Sequence, residues 1–233
     1  MRTTELLDVN PPYLFPEYAA SIKRSPKQQL VTLPDEWFHR LAGPAFGRIP
    51  LGPADNDLLH QHAGRPLGER ILLNGRVLDS DGRGVPATLV EIWQANASGA
   101  YVDGANPEFM PLDPNFTGAG RALTDNDGRF TFRTIKPAPY PGELGSFYRP
   151  AHIHVSLFGP HLSHRLITQC YWEGDPLIVH DAIAMSVPDP KARERLLVRL
   201  NPELCEPGGV DSAIAYDWTI VLRGPNATPI ENP

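Results

Sequence analysis

Proline constrains this chain more than any other residue type. Across 233 residues there are 26 prolines and 20 glycines, together about a fifth of the sequence. Proline lacks the backbone donor that a helix interior or a central strand uses, and glycine loses the most conformational entropy when ordered there. Residues of these two kinds spread from end to end favour short strands joined by turns over long helices. They crowd the front of the chain, where Pro11, Pro12, Pro16, Pro26, Pro34, Pro44, Pro50, Pro53 and Pro66 interrupt any period of 2 or 3.6. Residues 1–68 therefore read as an extended N-terminal arm, and residues 69–233 as a β-sandwich of a length at which one all-β core is common.

From Glu69 the texture changes. The stretch ILLNGRVLDSDGRGVPATLVEIWQA holds two apolar runs rich in β-branched residues around Asp81, Gly82 and Gly84, which predicts a strand pair. ALTDNDGRFTFRTI predicts a second pair around Asp127 and Gly128. Further strands are expected at AHIHVSLF, RLITQCYW and AIAYDWTIVLRG. One helix is expected over 190–200, with Pro190 near its start and Leu196, Leu197 and Leu200 on one face. The sum is an all-β chain: a β-sandwich core with long loops, the arm and one short helix.

A net charge of -6 with no concentration of Lys or Arg argues against nucleic acid as a partner. No stretch approaches the roughly 20 apolar residues of a membrane span, and the first residues lack a signal-like apolar run, so a cytoplasmic location is expected. Cys170 and Cys205 are the two cysteines, too few for a disulfide framework or a C-x-x-C motif. A metal site would have to use histidine, tyrosine or carboxylates.

RPAHIHV, residues 149–155, supplies the strongest local signal. His152 and His154 lie two apart in an expected strand, and side chains two apart share a face. Two imidazoles held side by side make a chelate at little conformational cost, yet an H-x-H in a strand also suits a pair of satisfied structural histidines. Further ligands are needed. A carboxylate shortly after the pair is missing, since residues 155–160 read VSLFGP, which disfavours a two-histidine, one-carboxylate site without excluding a distant Asp or Glu. A three-histidine zinc site would need His161, His164 or His180, of which the first two fall in an expected polar turn. Tyr140 stands between two prolines in KPAPYPG, a dozen residues ahead of the histidines, and reads either as a rigidly held ligand or as a core aromatic.

Four longer stretches carry a resemblance. TLVEIWQANASGAY (88–101), PLDPNFTGAGRALTDNDGRFTFRTIKPAPYPG (111–142), RPAHIHV and LITQCYWEGDPLI (166–178) strongly resemble the intradiol ring-cleavage dioxygenases, nearest to their protocatechuate 3,4-dioxygenase β-subunit branch. The similarity runs from YAASIKRSPKQ to IVLRG, nearly the whole chain. It implies non-haem Fe(III) held by Tyr101, Tyr140, His152 and His154, and cleavage of protocatechuate with O2 to 3-carboxy-cis,cis-muconate in aromatic catabolism, the β-ketoadipate pathway. Phenolate oxygens are hard anionic donors suited to a ferric ion. The resemblance further implies Arg149 as a permanent cation beside the substrate, Gln169 as an active-site glutamine that orients Arg149 or a ligand, Tyr140 as a proton acceptor, and Tyr18, Trp93 and Ile183 as substrate-pocket residues. Tyr13, Tyr148, Tyr171 and Tyr216 are then packing residues, and His60 and His62 structural or solvated. A homologous α subunit is implied as partner, in a hetero-oligomer.

Three departures stand out: Gly142 where the branch often carries Trp, Ala100 where Arg is frequent, and a loop from Tyr140 to Arg149 one residue shorter than usual. They bear on the shape of the pocket and leave the ligands in place. The same ligands would serve a catechol or hydroxyquinol dioxygenase. A reading of another class is a non-catalytic β-sandwich binding module, which the GRVLDSDGRGVPATLVEIW and TDNDGRFTFRTIKPAPY hairpins also resemble.

Overall fold

The computed structural model describes residues 9–28, 50–104, 109–142, 148–159 and 165–231. Among these residues ten strands form: β1 (Arg70–Leu78), β2 (Leu89–Gln94), β3 (Ala119–Leu123), β4 (Arg129–Ile135), β5 (Tyr140–Pro141), β6 (Tyr148–Arg149), β7 (His152–Phe158), β8 (Arg165–Trp172), β9 (Leu197–Leu200) and β10 (Ile214–Val221). Eight of them make one sheet in the order β3-β2-β7-β8-β9-β10-β1-β4, and β5 pairs with β6 as a separate ribbon. The sheet folds on itself, so that Ile71, Leu73 and Val77 of β1, Phe132 of β4 and Ile220 of β10 share one core with Ile92 of β2 and Ile153, Val155 and Leu157 of β7. The expected all-β sandwich is thus the architecture, and no helix among the described residues is long and apolar enough to cross a membrane.

Local patterning locates the strands but mistakes two of their pairings. β1 pairs with β10 and β4, and β2 with β3 and β7, so the two strands flanking the Asp81-Gly82 turn lie in opposite leaves. β3 and β4 are likewise separated. Only the ends of the expected hairpins close, through a bridge between Leu78 and Gly84 and a turn in which Asp125 N donates to Arg129 O at 2.9 Å. Beyond each turn the chain crosses to the other leaf, because both leaves must bury their apolar faces against each other. The two turns also pack together: a Cβ at Gly84 would stand 2.2 Å from Asp127 O, so no larger residue fits.

The helix expected over 190–200 ends early. Pro190–Glu194 is helical (α3), capped by the Asp189 side chain, but Leu197–Leu200 is strand β9. β9 pairs in parallel with Tyr171 and Trp172 of β8 and antiparallel with Tyr216 and Asp217 of β10, and so joins the two leaves. A helix continued through Leu200 would leave those ladder groups without partners. Two further short helices form, α1 (Ala19–Arg24) and α2 (Ala182–Met185).

Much of the expected arm, residues 1–8 and 29–49, lies outside the described residues. Its last part is anchored. Arg121 N of β3 donates to Asp55 O at 2.7 Å, while on β4 Arg133 N donates to Asn56 O at 2.9 Å and Arg133 O accepts from Leu58 N at 2.8 Å. Residues 55–58 therefore fill the gap between the two edge strands, with Leu58 and Leu59 in the core. Covered in this way, neither edge presents a full row of unpaired backbone groups.

Candidate functional site

Strand register builds the site. His152 stands opposite Tyr171 and His154 opposite Gln169 across β7 and β8, while Trp93 of β2 stands opposite His154. Because strand side chains alternate, these five share the outer face of the sheet, and Ile153, Val155 and Cys170 between them face the core. The β5–β6 ribbon sets Tyr140 opposite Arg149. A loop organised by Asn96 brings in Tyr101. The Asn96 Oδ1 atom accepts from Ser98 N and Ala100 N at 2.8 and 3.0 Å, its Nδ2 donates to Pro111 O at 2.9 Å, and its carbonyl accepts from Ala138 N at 3.1 Å. Gly99, at φ 89°, makes the turn and leaves only 3.0 Å between an added Cβ and Tyr140 Cβ. So WQANASGAY is a loop that must approach the Tyr140 segment closely.

Four side chains converge. The Tyr140 and Tyr101 hydroxyls lie 3.1 and 3.4 Å from His152 Nε2. The two imidazole centroids are 4.9 Å apart, and the two phenol rings meet edge to face at 5.4 Å. His152 Nδ1 donates to Pro150 O at 2.8 Å, which leaves the lone pair on Nε2. His154 Nδ1 lies 3.3 Å from Glu231 Oε2, and its ring stacks on Trp93 at 4.8 Å and 4°.

Arg149 joins this group to a buried anion. Its Nε and Nη2 donate to Asp181 Oδ1 and Oδ2 at 3.1 and 3.2 Å, and Nη2 donates to Gln169 Oε1 at 2.6 Å. Nη1 donates to His152 Nε2 at 2.9 Å and to the Tyr140 hydroxyl at 3.2 Å. The Tyr171 hydroxyl donates to Asp181 Oδ2 at 2.8 Å, and Asp181 also caps α2.

Burial governs the charges. It opposes ionisation of Arg149, but Tyr171, Asp181 and Tyr140 outweigh it and hold the guanidinium above its ordinary pKa. Burial, and then the neighbouring guanidinium, push His152 well below the usual imidazole value, so it is neutral. Burial and then Tyr140 push the Tyr101 phenol well above its ordinary value. Ionising it requires a strong positive charge close by.

No group of three or more His, Cys, Asp or Glu side chains among the described residues could hold a metal. Among the described residues, a metal site of three or more side chains would have to include donors of another kind, and tyrosine is the one at hand here. Two phenol oxygens and two imidazoles, each with Nδ1 turned to an acceptor, form a donor set that fits a hard, highly charged cation.

The sequence-predicted residues separate into those brought together and those not. Tyr101, Tyr140, His152, His154, Arg149, Gln169 and Trp93 converge. Ile183 lies half-buried on α2, two residues beyond Asp181, and Tyr18 half-buried at the start of α1. His60 and His62 turn to different partners, Asp57 and Thr117. His180 is exposed; His161, His164 and residues 143–147 of the Tyr140 loop lie outside the described residues. Sequence reasoning takes Tyr171 for packing alone and does not single out Asp181 or Glu231.

Comparisons with known proteins identify relatives of this chain. A family model described as "Dioxygenase" matches residues 41–224, and one described as "Protocatechuate 3,4-dioxygenase beta subunit N terminal" matches 8–36. The chain is 47% identical over 225 residues to the protocatechuate 3,4-dioxygenase beta chain of Burkholderia cepacia, covering 95% of this chain and 94% of that one. It is 32% identical over 163 residues to the alpha chain of Pseudomonas putida protocatechuate 3,4-dioxygenase, covering 69% of this chain and 75% of that one. Among solved structures, the dioxygenase domain of a dioxygenase carbohydrate-binding protein fusion from Streptomyces sp. SirexAA-E superposes with a TM-score of 0.50 at 28% identity, over 71% of this chain and 85% of that one.

Proposed function

This chain belongs to the dioxygenase family whose model spans residues 41–224, and from that premise we propose that it is the iron-bearing β chain of a protocatechuate 3,4-dioxygenase. It cleaves protocatechuate between its two hydroxyls, with both atoms of O2 entering 3-carboxy-cis,cis-muconate. One observation carries the reading beyond the family: two phenols and two imidazoles meet beside a buried guanidinium. Tyr101, Tyr140, His152 and His154 would hold the ion. Bound there as Fe(III), it would supply Lewis acidity that favours the ionised phenols and catechol, and a ferric acceptor that makes the catecholate ring reactive toward O2.

The side chains supply the rest. Tyr140, next to the guanidinium, takes up a proton from an incoming catechol hydroxyl. Arg149, kept charged by Asp181, stabilises negative charge that develops on the ring. Gln169 fixes Arg149 through Oε1, and its Nε2, buried without a partner among the described residues, offers a hydrogen bond to a substrate oxygen. Trp93, flat against His154, forms a wall of the pocket, with Ile183 and Tyr18 as further substrate-binding residues. The partner is a homologous α chain in a hetero-oligomer, and the enzyme works in the cytoplasm.

The test is colour with turnover. Pure protein should be red-brown from phenolate-to-iron charge transfer, contain about one iron per chain, and prefer protocatechuate to catechol and hydroxyquinol when co-produced with its α chain. A colourless, fully active enzyme containing only zinc would overturn the iron assignment. Full protocatechuate activity in a homo-oligomer of this chain alone would overturn the two-chain assembly.

A further inference from the structure

After β10 the chain doubles back and is tied down residue by residue. Thr228 N donates to Val221 O at 2.8 Å, and Val221 N to Thr228 Oγ1 at 3.0 Å. Thr168 Oγ1 of β8 donates to Pro229 O at 2.7 Å, Ile230 N to Asn10 Oδ1 at 2.9 Å, and Glu231 N to Ile167 O at 2.7 Å. These bonds deliver one carboxylate to the candidate centre. Glu231 Oε2 lies 3.3 Å from His154 Nδ1, with 12% of the histidine side chain and 14% of the glutamate exposed. The two imidazoles of the pair are therefore held differently: His152 gives its Nδ1 proton to the neutral carbonyl of Pro150, His154 to a negative charge.

We propose that Glu231 is a positioning residue of the metal centre. It selects the His154 tautomer whose lone pair is on Nε2, holds the ring flat against Trp93, and makes that nitrogen a stronger donor than His152. Its charge also acts on the Tyr101 phenol, and a negative charge at this place favours the ferric over the ferrous ion. Neither role needs Glu231 to touch metal or substrate. The proposal rests on the ligand set given under Proposed function, with His154 as one of the four.

The experiment uses the iron-loaded protein and reads the metal before any turnover: the rate of iron loss to a ferric chelator, and the wavelength of the charge-transfer band. Glu231→Ala should lose iron about 10–100-fold faster. Its band should move to longer wavelength, because a weaker imidazole donor leaves the iron a better acceptor. Glu231→Gln keeps the shape and an acceptor oxygen but not the charge, and should fall between Glu231→Ala and the unaltered protein. The proposal is overturned if both Glu231 variants keep the original rate and band. An unaltered protein that takes up no iron would overturn the ligand set itself, a separate outcome visible before any variant is made.

Discussion

On the inner face of β7 and β8, Ile153, Val155 and Cys170 are buried among apolar side chains of both leaves. On the outer face of the same strands, His152, Gln169 and Tyr171 are as deeply buried, but against each other's polar atoms and against Arg149 and Asp181. Alternation of side chains puts these environments one residue apart. The difference is one of specificity. Truncating an apolar side chain on the inner face removes buried surface and leaves a cavity that its neighbours partly refill. Removing a polar partner on the outer face leaves a buried donor or acceptor unsatisfied, at about 1–3 kcal/mol, and more where a charge is involved. Stability is thus expected to follow the inner face and chemistry the outer.

The largest effect should come from the outer histidines. His152→Ala or His154→Ala opens the chelate and should remove most of the iron and the colour, as metal analysis and the visible spectrum will report. Iron content unchanged in both variants would mean that the pair is structural and that the contrast between the faces has been misread. Next, Arg149→Leu should keep iron and colour while kcat/KM falls by about 10²–10³, the scale for removing one group that stabilises developing charge. Asp181→Asn should lower kcat/KM in the same direction by less. It should also destabilise the fold by about 3–5 kcal/mol, since Arg149 is left buried without its anion. An unchanged kcat/KM in Arg149→Leu would remove the guanidinium from the chemistry.

Ile153→Ala sharpens the contrast most directly, because Ile153 lies between the two histidines yet faces the other way. It should cost about 2–5 kcal/mol in denaturant unfolding. Where the protein remains folded, colour and kcat/KM should stay within about twofold. Loss of iron in a folded Ile153→Ala protein would show that the two faces are coupled.

How far the sequence reveals this arrangement depends on whether the signal is local. His152 and His154 are legible because a two-residue period fixes a shared face, and Tyr140 because two prolines bracket it. Tyr101 is reached only through the resemblance; nothing in its spacing tells that Asn96 gathers the loop behind it. Tyr171 could have been found, since it lies two residues after Gln169 in the same strand and so shares its face. Asp181 and Glu231 carry no periodic signal, for both reach the site from irregular segments set by tertiary hydrogen bonds. The same cause underlies the fold-level misses. Gly82 and Gly128 do mark turns, but which strands then pair is decided by burial against the other leaf, and Leu197–Leu200 becomes a strand because β8 and β10 need it.

Cys170 offers the test with the smallest expected effect. It sits between Gln169 and Tyr171, two members of the polar network, but its thiol faces the core and is buried. Burial pushes its pKa up to about 12. At pH 8 the thiolate, which is the reactive form, would be rarer than in an ordinary cysteine by a factor on the order of 10³. Restricted access slows the reaction further. Iodoacetamide applied to native, iron-loaded protein should therefore leave Cys170 unmodified while Cys205, half-buried, is the site of any labelling. Colour and turnover should not change over the incubation. Cys170 should react only as the fold opens, so its labelling in denaturant should follow the unfolding curve. If Cys170 in the coloured, active protein were alkylated as fast as a free thiol, reagent would be reaching the inner face with the site intact, and the division between a closed apolar face and a polar working face would fail at its closest point.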